Sequence, residues 1–247
     1  MLPNAGGYTL AAGATGAYNS YFRTLAERLV AGGQGNAILR LGWEFNGCWM
    51  PWTIADTSSS CAGSPKYGGP NGGPNYAAYW RQIVNQMRAV PGAKFQFDWT
   101  VNTGSSWTTA GGRLNAESAW PGATYVDYVG ADVYDASWVP NYQTDPAARW
   151  NGYLTDYNGL NWQKTFAAAQ GKPRTFPEFG VAFRADGHGG GDAPYFIDRM
   201  YEWTKPSVTN DVAYAMYFQF SDSSMESRLF AGQTPLSDAR FRANFGR

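Results

Sequence analysis

Histidine is nearly absent from this sequence of 247 residues, since His188 is the single example. One histidine is too few for a zinc site built on imidazole ligands, which the sequence therefore disfavours. A serine triad would have to use that same histidine as its base. Charged residues are also scarce, and 19 basic residues balance 19 acidic ones. The sequence therefore lacks the basic stripe that binds nucleic acids or anionic membranes. It predicts that the protein binds a neutral partner and binds neither nucleic acid nor a membrane.

The HGGG run at residues 188–191 is similar to the oxyanion loop of lipases and esterases. A serine esterase would still need a G-x-S-x-G elbow and a second histidine, and the sequence contains neither. No phosphate-binding loop and no dinucleotide-binding glycine motif occurs either. A serine esterase would be inactivated by serine-directed reagents, and we expect no such inactivation.

Cysteine occurs only twice, as Cys48 and Cys61 on either side of a polar loop. A disulfide between them would close a loop of about 14 residues and, in the chain-entropy model, contribute about 3 kcal/mol. Such a bond predicts a secreted protein, although no signal peptide, membrane-spanning run or lipidation motif is present in the sequence. Two reduced cysteines in a cytosolic protein are the alternative.

Aromatic residues are abundant, with 11 Trp and 16 Tyr among them, and many stand beside Gly, Asn or Asp. Exposed rings next to polar groups suit saccharides, whose C–H faces stack on aromatic rings while their hydroxyls form hydrogen bonds. The alternative for each ring is that it packs in the core.

Strand and helix patterns alternate along the chain, which favours one α/β domain over residues 1–247 with a parallel sheet. Apolar runs predict strands at 36–43, 94–101, 125–134, 174–179 and 211–220. Helical periodicity occurs at 17–31, 76–90, 146–170 and 194–204. In the first of these helices Tyr21, Leu25 and Leu29 form an apolar stripe, and residues 46–75 read as a functional loop.

Carboxylate chemistry is what remains, and two of the six glutamates stand out. Glu44 and Glu178 each end an apolar strand and precede a turn residue, whereas the other four lie in helical or polar contexts. Because a parallel barrel gathers the carboxyl ends of its strands on one face, the two can meet across a site. We interpret them as the pair of a retaining glycosidase, with Glu44 as acid/base and Glu178 as nucleophile.

The neighbours of each glutamate fit these roles. Trp43, Trp49 and Trp52 follow or precede Glu44 closely, and an apolar wall raises the pKa of a carboxyl group, as a general acid requires. Arg40 and Tyr134 are donors expected to keep Glu178 ionised. This chemistry needs neither a metal nor an organic cofactor.

At these residues the sequence resembles glycoside hydrolase family 26, whose members are retaining (β/α)8-barrel enzymes. The likeness rests on RLGWEFNGCWMPW at 40–52, WPGATYVDYVGADVY at 120–134, KPRTFPEFG at 172–180 and LSDARFRANF at 236–245. It implies the roles above for Glu44 and Glu178, and makes Tyr134 a partner of the nucleophile. Further residues expected to bind substrate are Arg40, Trp43, Trp49, Trp52, Trp99, Asn102 and Phe220.

Two departures from the family qualify these expectations. The family usually has His immediately before its acid/base, where this chain has Trp43. Because that residue faces the sugar next to the cleavage point, β-1,3/1,4-glucan and β-1,3-xylan stay alternatives to β-1,4-mannan, the family's commonest substrate. Only 43 residues precede Glu44, although three βα units would need on the order of 90. We therefore expect a (β/α)8 barrel that lacks or shortens its first strands, with Met1–Pro3 as the stub of a third strand and about five clear parallel strands.

The long loop after Glu44 predicts an open cleft and endo action, and we expect a monomer. A carbohydrate-binding protein that keeps the aromatic platform without catalysis is the alternative from another class.

Overall fold

A computed structural model describes residues 7–55, 71–106, 112–138, 145–207 and 211–246. Seven α-helices lie in these ranges: α1 (Leu10–Ala14), α2 (Asn19–Ala31), α3 (Gly72–Arg88), α4 (Pro146–Thr155), α5 (Leu160–Gln170), α6 (Pro194–Thr204) and α7 (Pro235–Phe245). Seven strands accompany them: β1 (Ile38–Arg40), β2 (Gln96–Asn102), β3 (Tyr128–Tyr134), β4 (Arg174–Gly180), β5 (Phe183–Arg184), β6 (Val212–Tyr217) and β7 (Met225–Glu226). The stub expected at Met1–Pro3 lies outside the described residues.

Five strands form one curled parallel sheet in the order β1-β2-β3-β4-β6, which is the sheet of about half a barrel. The prediction of about five parallel strands with helices between them is therefore confirmed. Strands β5 and β7 pair separately as a small antiparallel ribbon. Within the described residues, β1 and β6 each have a strand partner on one side only.

The two faces of the sheet have opposite character. Along β2, Phe97, Trp99 and Val101 are fully buried and belong to the hydrophobic core. Successive side chains of a strand point to opposite faces of the sheet, so Asp98 and Thr100 lie on the inner face. There the Thr100 hydroxyl donates a hydrogen bond to Asp98. The inner face therefore carries the polar groups, and the outer face carries the core.

A bulge in β4 determines which way Glu178 points. Between the pairs Gly130↔Thr175 and Val133↔Phe179, strand β4 has one residue more than β3. An extra residue in one strand moves every side chain beyond it to the opposite face of the sheet. Glu178 consequently shares the inner face with Thr175, although an uninterrupted strand would place residues 175 and 178 on opposite faces.

The prediction for helix α2 was correct in extent and wrong for two of the three residues of its apolar stripe. Tyr21 and Leu25 are 65% and 42% exposed, whereas Leu29 packs against the core as predicted. Phe22 and Ala26 also contact the core, and Phe22 lies edge-on to Tyr79 of α3 with 5.9 Å between ring centroids. The packing face therefore runs along Phe22, Ala26 and Leu29, which are spaced four and three residues apart.

The remaining differences concern element bounds. The region 146–170 divides into α4 and α5, because Gly159 begins a new helix after a turn at Asp156. Strand β1 is only three residues long, since Gly42 adopts φ +54 and turns the chain. None of the described helices is long and apolar enough to cross a membrane.

Candidate active site

Glu44 lies on a turn just beyond β1 and reaches the centre of the inner face. Its backbone φ of +53 is left-handed, a conformation that costs a residue with a side chain roughly 1–2 kcal/mol. The turn is held because the Glu44 backbone N–H donates to the Thr100 carbonyl of β2 at 3.0 Å. The strand end and the turn together bring this carboxyl group over the carboxyl end of the sheet.

Glu44 and Glu178 meet on the inner face as the sequence predicted. Their carboxylate oxygens and those of Asp132 approach so closely that one atom from each group lies within 4.8 Å of the others. Arg40 joins two of the three, donating from Nη1 to Glu178 at 2.8 Å and from Nη2 to Asp132 at 2.6 Å. One guanidinium group therefore neutralises part of a concentrated negative charge.

Glu44 is the more buried of the pair, being 7% exposed. Its Oε2 accepts from Trp49 Nε1 at 2.6 Å, and its Oε1 accepts from Asn102 Nδ2 at 2.9 Å. Burial raises the pKa of Glu44 above its ordinary value and outweighs these two hydrogen bonds, while the charge of Glu178 raises it further. A carboxyl group in this setting holds a proton to higher pH, as a general acid must.

Glu178 is surrounded by donors instead of apolar groups. Besides the Arg40 contact, its Oε2 accepts from the Tyr134 hydroxyl at 2.7 Å. Burial and the adjacent Glu178 raise the pKa of Tyr134 well above its ordinary value, so the hydroxyl keeps its proton and remains a donor. The two donors bind separate oxygens of Glu178 and so fix the orientation of its carboxyl group.

Asp132 is a site residue that the sequence reasoning missed. It is fully buried, and burial raises its pKa well above the ordinary value, with Arg40 opposing that rise. Burial alone would lower the pKa of Arg40, but Asp132 and Glu178 together raise it. The sequence did contain a sign of this role, because Asp132 interrupts an apolar strand two residues before Tyr134. Residues two apart in a strand lie on the same face of the sheet.

Three carboxylates at this spacing are also a set that could ligate a divalent cation. Here the guanidinium group of Arg40 already contacts two of them. The protein thereby supplies positive charge of its own at the centre of the site.

The three tryptophans near Glu44 take different positions. Trp49 is 51% exposed while its indole N–H binds Glu44, so it offers a ring surface beside the carboxyl group. Trp43 packs against Trp52 with 4.7 Å between ring centroids, and the Arg40 guanidinium carbon lies 5.5 Å from the Trp43 ring. Trp52 is buried and donates its indole N–H to the Trp43 carbonyl, which makes it a support for Trp43.

One expected substrate contact, Trp99, needs correction, and another, Phe220, stays a prediction. Trp99 is fully buried on the outer face, among Phe45, Trp120 and Phe166, because odd-numbered positions of β2 point to the core. Phe220 lies beyond the end of β6 and stacks on Phe218 with 5.7 Å between centroids. It is Phe218 that contacts the site, edge-on to Tyr134 at 6.3 Å.

Cys48 is buried just after the Glu44 turn, and its backbone N–H donates to the Ser106 hydroxyl. Cys61 lies outside the described residues. The Cys48–Cys61 disulfide therefore stays a prediction.

A parallel β/α sheet that presents two glutamates at the carboxyl ends of separate strands has the architecture of barrel glycosidases. The sequence profile of Glycosyl hydrolase family 26 matches residues 17–172. The chain therefore belongs to glycosyl hydrolase family 26. Glu44, Asn102 and Tyr134 lie within the matched range, whereas Glu178 lies just past it.

Solved structures agree in fold. A modular endo-β-1,4-mannanase from Cellulomonas fimi superposes with a TM-score of 0.60 at 22% identity, covering 93% of this chain and 46% of the other. The catalytic domain of a family 26 endo-β-1,4-mannanase from Bacillus sp. JAMB-750 gives 0.58 at 20% identity, covering 94% and 56%. A family 26 β-mannanase from Bacteroides ovatus gives 0.53 at 14% identity, covering 94% and 58%.

The chain thus spans about half the length of the solved structures that it matches. No curated protein sequence matches it significantly.

Proposed function

We propose that this protein is a retaining, endo-acting glycoside hydrolase of a β-linked polysaccharide, with Glu44 as acid/base and Glu178 as nucleophile. One observation carries the proposal: oxygens of the two glutamates lie within 4.8 Å of each other on the inner face of the sheet. Retaining enzymes place their carboxyl groups about 5–5.5 Å apart, whereas inverting enzymes need about 6.5–9.5 Å to admit a water molecule.

The environments of the two groups supply the reaction's two steps. In the first, Glu44 gives its proton to the leaving glycosidic oxygen while Glu178 attacks the anomeric carbon and forms a covalent glycosyl-enzyme. In the second, Glu44, now ionised, takes a proton from water, whose oxygen attacks the same carbon and releases Glu178. Arg40 and Tyr134 hold Glu178 in place through hydrogen bonds to its two separate oxygens.

The substrate proposed first is β-1,4-mannan. The neighbours in fold are described as endo-β-1,4-mannanases, which supports this choice at the level of the family. The ring of Trp49, half exposed beside Glu44, fits a sugar stacked next to the scissile bond. Trp43 at the position before the acid/base keeps β-1,3/1,4-glucan and β-1,3-xylan as alternatives.

We further propose a single catalytic domain over residues 1–247 that acts as a secreted monomer, with Cys48 and Cys61 joined. Non-reducing mass analysis, with and without alkylation, measures the disulfide directly. A sedimentation experiment measures the oligomeric state.

The deciding experiment measures new reducing ends from mannan, mixed-linkage glucan and xylan. The wild type is expected to release oligosaccharides from one of them, and proton NMR of early products should show the anomeric configuration of the substrate retained. Glu178→Gln is expected to abolish release. Glu202→Gln is the matched control, because Glu202 is exposed and, in the part of the chain that the structure describes, pairs with Lys205 at the end of its own helix. Inverted products, or full activity of Glu178→Gln, would contradict the proposal.

A carbohydrate-binding protein without catalysis is the second candidate. The observation that favours it is the open sheet, in which β1 and β6 are only partly buried and leave Ile38 and Met216 41% and 50% exposed. Affinity electrophoresis in gels containing the same polysaccharides separates the two candidates. Retardation without any release of sugar favours binding, and release favours hydrolysis.

A further inference from the structure

The turn that carries Glu44 is braced by a buried side chain, that of Asn46. The left-handed backbone at Glu44 is unfavourable, so neighbouring contacts must hold it. Two are backbone hydrogen bonds, from the Glu44 N–H to Thr100 and from the Gly47 N–H to the Glu44 carbonyl. Asn46 lies between these two points and is fully buried.

The Asn46 amide binds the segment that follows β2 at several places. Its Oδ1 accepts from the Asn102 N–H at 2.9 Å, and its Nδ2 lies 2.8 Å from the Asn102 carbonyl. Nδ2 also lies 3.1 Å from the Gly104 carbonyl and 2.9 Å from the Ser105 hydroxyl, so its two hydrogens are shared among three acceptors. The Asn46 carbonyl accepts from the Ser106 N–H at 3.1 Å.

These contacts pair one side chain with both backbone polar groups of Asn102, as a neighbouring strand would. The backbone of Asn102 is thereby fixed, and with it the direction of its side chain. That side chain donates from Nδ2 to Oε1 of Glu44 at 2.9 Å. A continuous path of hydrogen bonds therefore runs from Asn46 through Asn102 to the carboxyl group of Glu44.

We propose that Asn46 is a positioning residue for Glu44: by holding the backbone of Asn102, it aims the Asn102 amide at the Glu44 carboxyl group. Asn46 acts through Asn102, and no hydrogen bond joins its own amide to Glu44. The inference deepens the proposed function, because it assigns control of the acid/base to a residue outside the catalytic pair.

The proposal has a measurable consequence for protonation. The charged groups that act on Glu44 are Glu178, which raises its pKa, Arg40, which lowers it, and Asp132, which interacts with it as a like charge. Hydrogen bonds from Trp49 and Asn102 also lower the Glu44 pKa, against the larger effect of burial. Loss of the Asn102 bond should therefore raise the pKa of Glu44 further.

The test reads Glu44 directly and does not depend on catalysis. With glutamate labelled by ¹³C at the side-chain carboxyl, the chain gives six signals, and Glu44→Gln identifies the one of interest. Asn46→Ala is expected to raise the Glu44 pKa by about one, since a hydrogen bond to a charged group contributes on that scale. Asn102→Ala is expected to raise it by a similar amount.

The double variant provides the test of the path. If Asn46 acts through Asn102, then Asn46→Ala combined with Asn102→Ala should titrate like Asn102→Ala alone. The matched control is Gln163→Ala, which truncates another fully buried amide, one that donates to the carbonyls of Val129 and Thr175. It is expected to lower stability and leave the Glu44 titration unchanged.

Two results would overturn the inference: a Glu44 titration in Asn46→Ala that matches the wild type, or effects of the two variants that add fully. If Asn46→Ala does not fold, Asn46→Ser serves with the same expectations, because its hydroxyl cannot span both backbone groups of Asn102. Where the wild type proves active, the alkaline limb of its pH profile should move to higher pH in Asn46→Ala. An inactive wild type would refute the proposed function and leave the NMR test intact.

Discussion

Arg40 offers the sharpest test of how this site is held together, through the variant Arg40→Met. The Arg40 side chain is 18% exposed, and the substitution keeps its apolar stem while removing the guanidinium group that binds Asp132 and Glu178. Removing one partner of a buried ion pair costs roughly 3–5 kcal/mol, because the other charge is left uncompensated. Here two carboxylates lose the same cation, so the upper part of that range is expected at neutral pH.

The sign of the pH dependence follows from Asp132. Burial already raises its pKa above the ordinary value, and Arg40 opposes that rise, so the variant raises the pKa further. A group whose pKa is raised on folding stabilises the protein fully below its unfolded value, and that contribution is lost as pH rises through the folded value. The loss of stability in Arg40→Met should therefore be largest at neutral pH and shrink towards acid.

Urea denaturation followed by tryptophan fluorescence at about pH 7.5 and about pH 4.5 measures both effects. Arg240→Met is the control, since Arg240 forms an exposed pair with Asp198 and should change the unfolding free energy little at either pH. A loss below about 1 kcal/mol at neutral pH, or an equal loss at both pH values, would refute this account of Arg40.

Three further predictions concern single contacts. Tyr134→Phe removes the 2.7 Å hydrogen bond to Glu178, the proposed nucleophile, and should lower kcat roughly 10-fold or more in steady-state assays; an unchanged kcat would contradict the proposed role of Tyr134. Trp99→Ala should lower the free energy of unfolding by about 3–5 kcal/mol, as measured by urea denaturation. A variant of unchanged stability with weakened saccharide binding would show that Trp99 contacts substrate instead. Gly190→Ala would place a Cβ 1.8 Å from Asp135 Oδ2 and should lower the melting temperature by several degrees, whereas Gly152→Ala, with open space around it, should not.

Much of the fold was accessible from the sequence because hydrophobic runs define parallel strands well. The five strands were found in order, and helix α6 was predicted with its bounds. What periodicity could not give was the face of α2 that packs. Tyr21 and Leu25 form as regular a stripe as Phe22 and Ala26, and only the position of α3 decides between them.

The site was predictable where a residue type and its position at a strand end coincided, as for Glu44 and Glu178. Trp99 shows the opposite case, since its place in β2 points it to the core and only the family resemblance suggested the cleft. Asp132 was missed because its partner Arg40 is 92 residues away in sequence. The bulge that turns Glu178 inward is likewise a property of strand pairing, which one strand's sequence does not reveal.

At Glu44 the requirements of the proposed function and of stability conflict, because the left-handed backbone there is unfavourable for any residue with a side chain. Glycine would adopt φ +53 without the steric cost that any other residue bears there, and it would also remove a buried carboxyl group. Selection for thermal stability alone would therefore favour glycine at this position over the proposed acid/base. In a mutant library, enrichment for stability and enrichment for sugar release should diverge most sharply at residue 44.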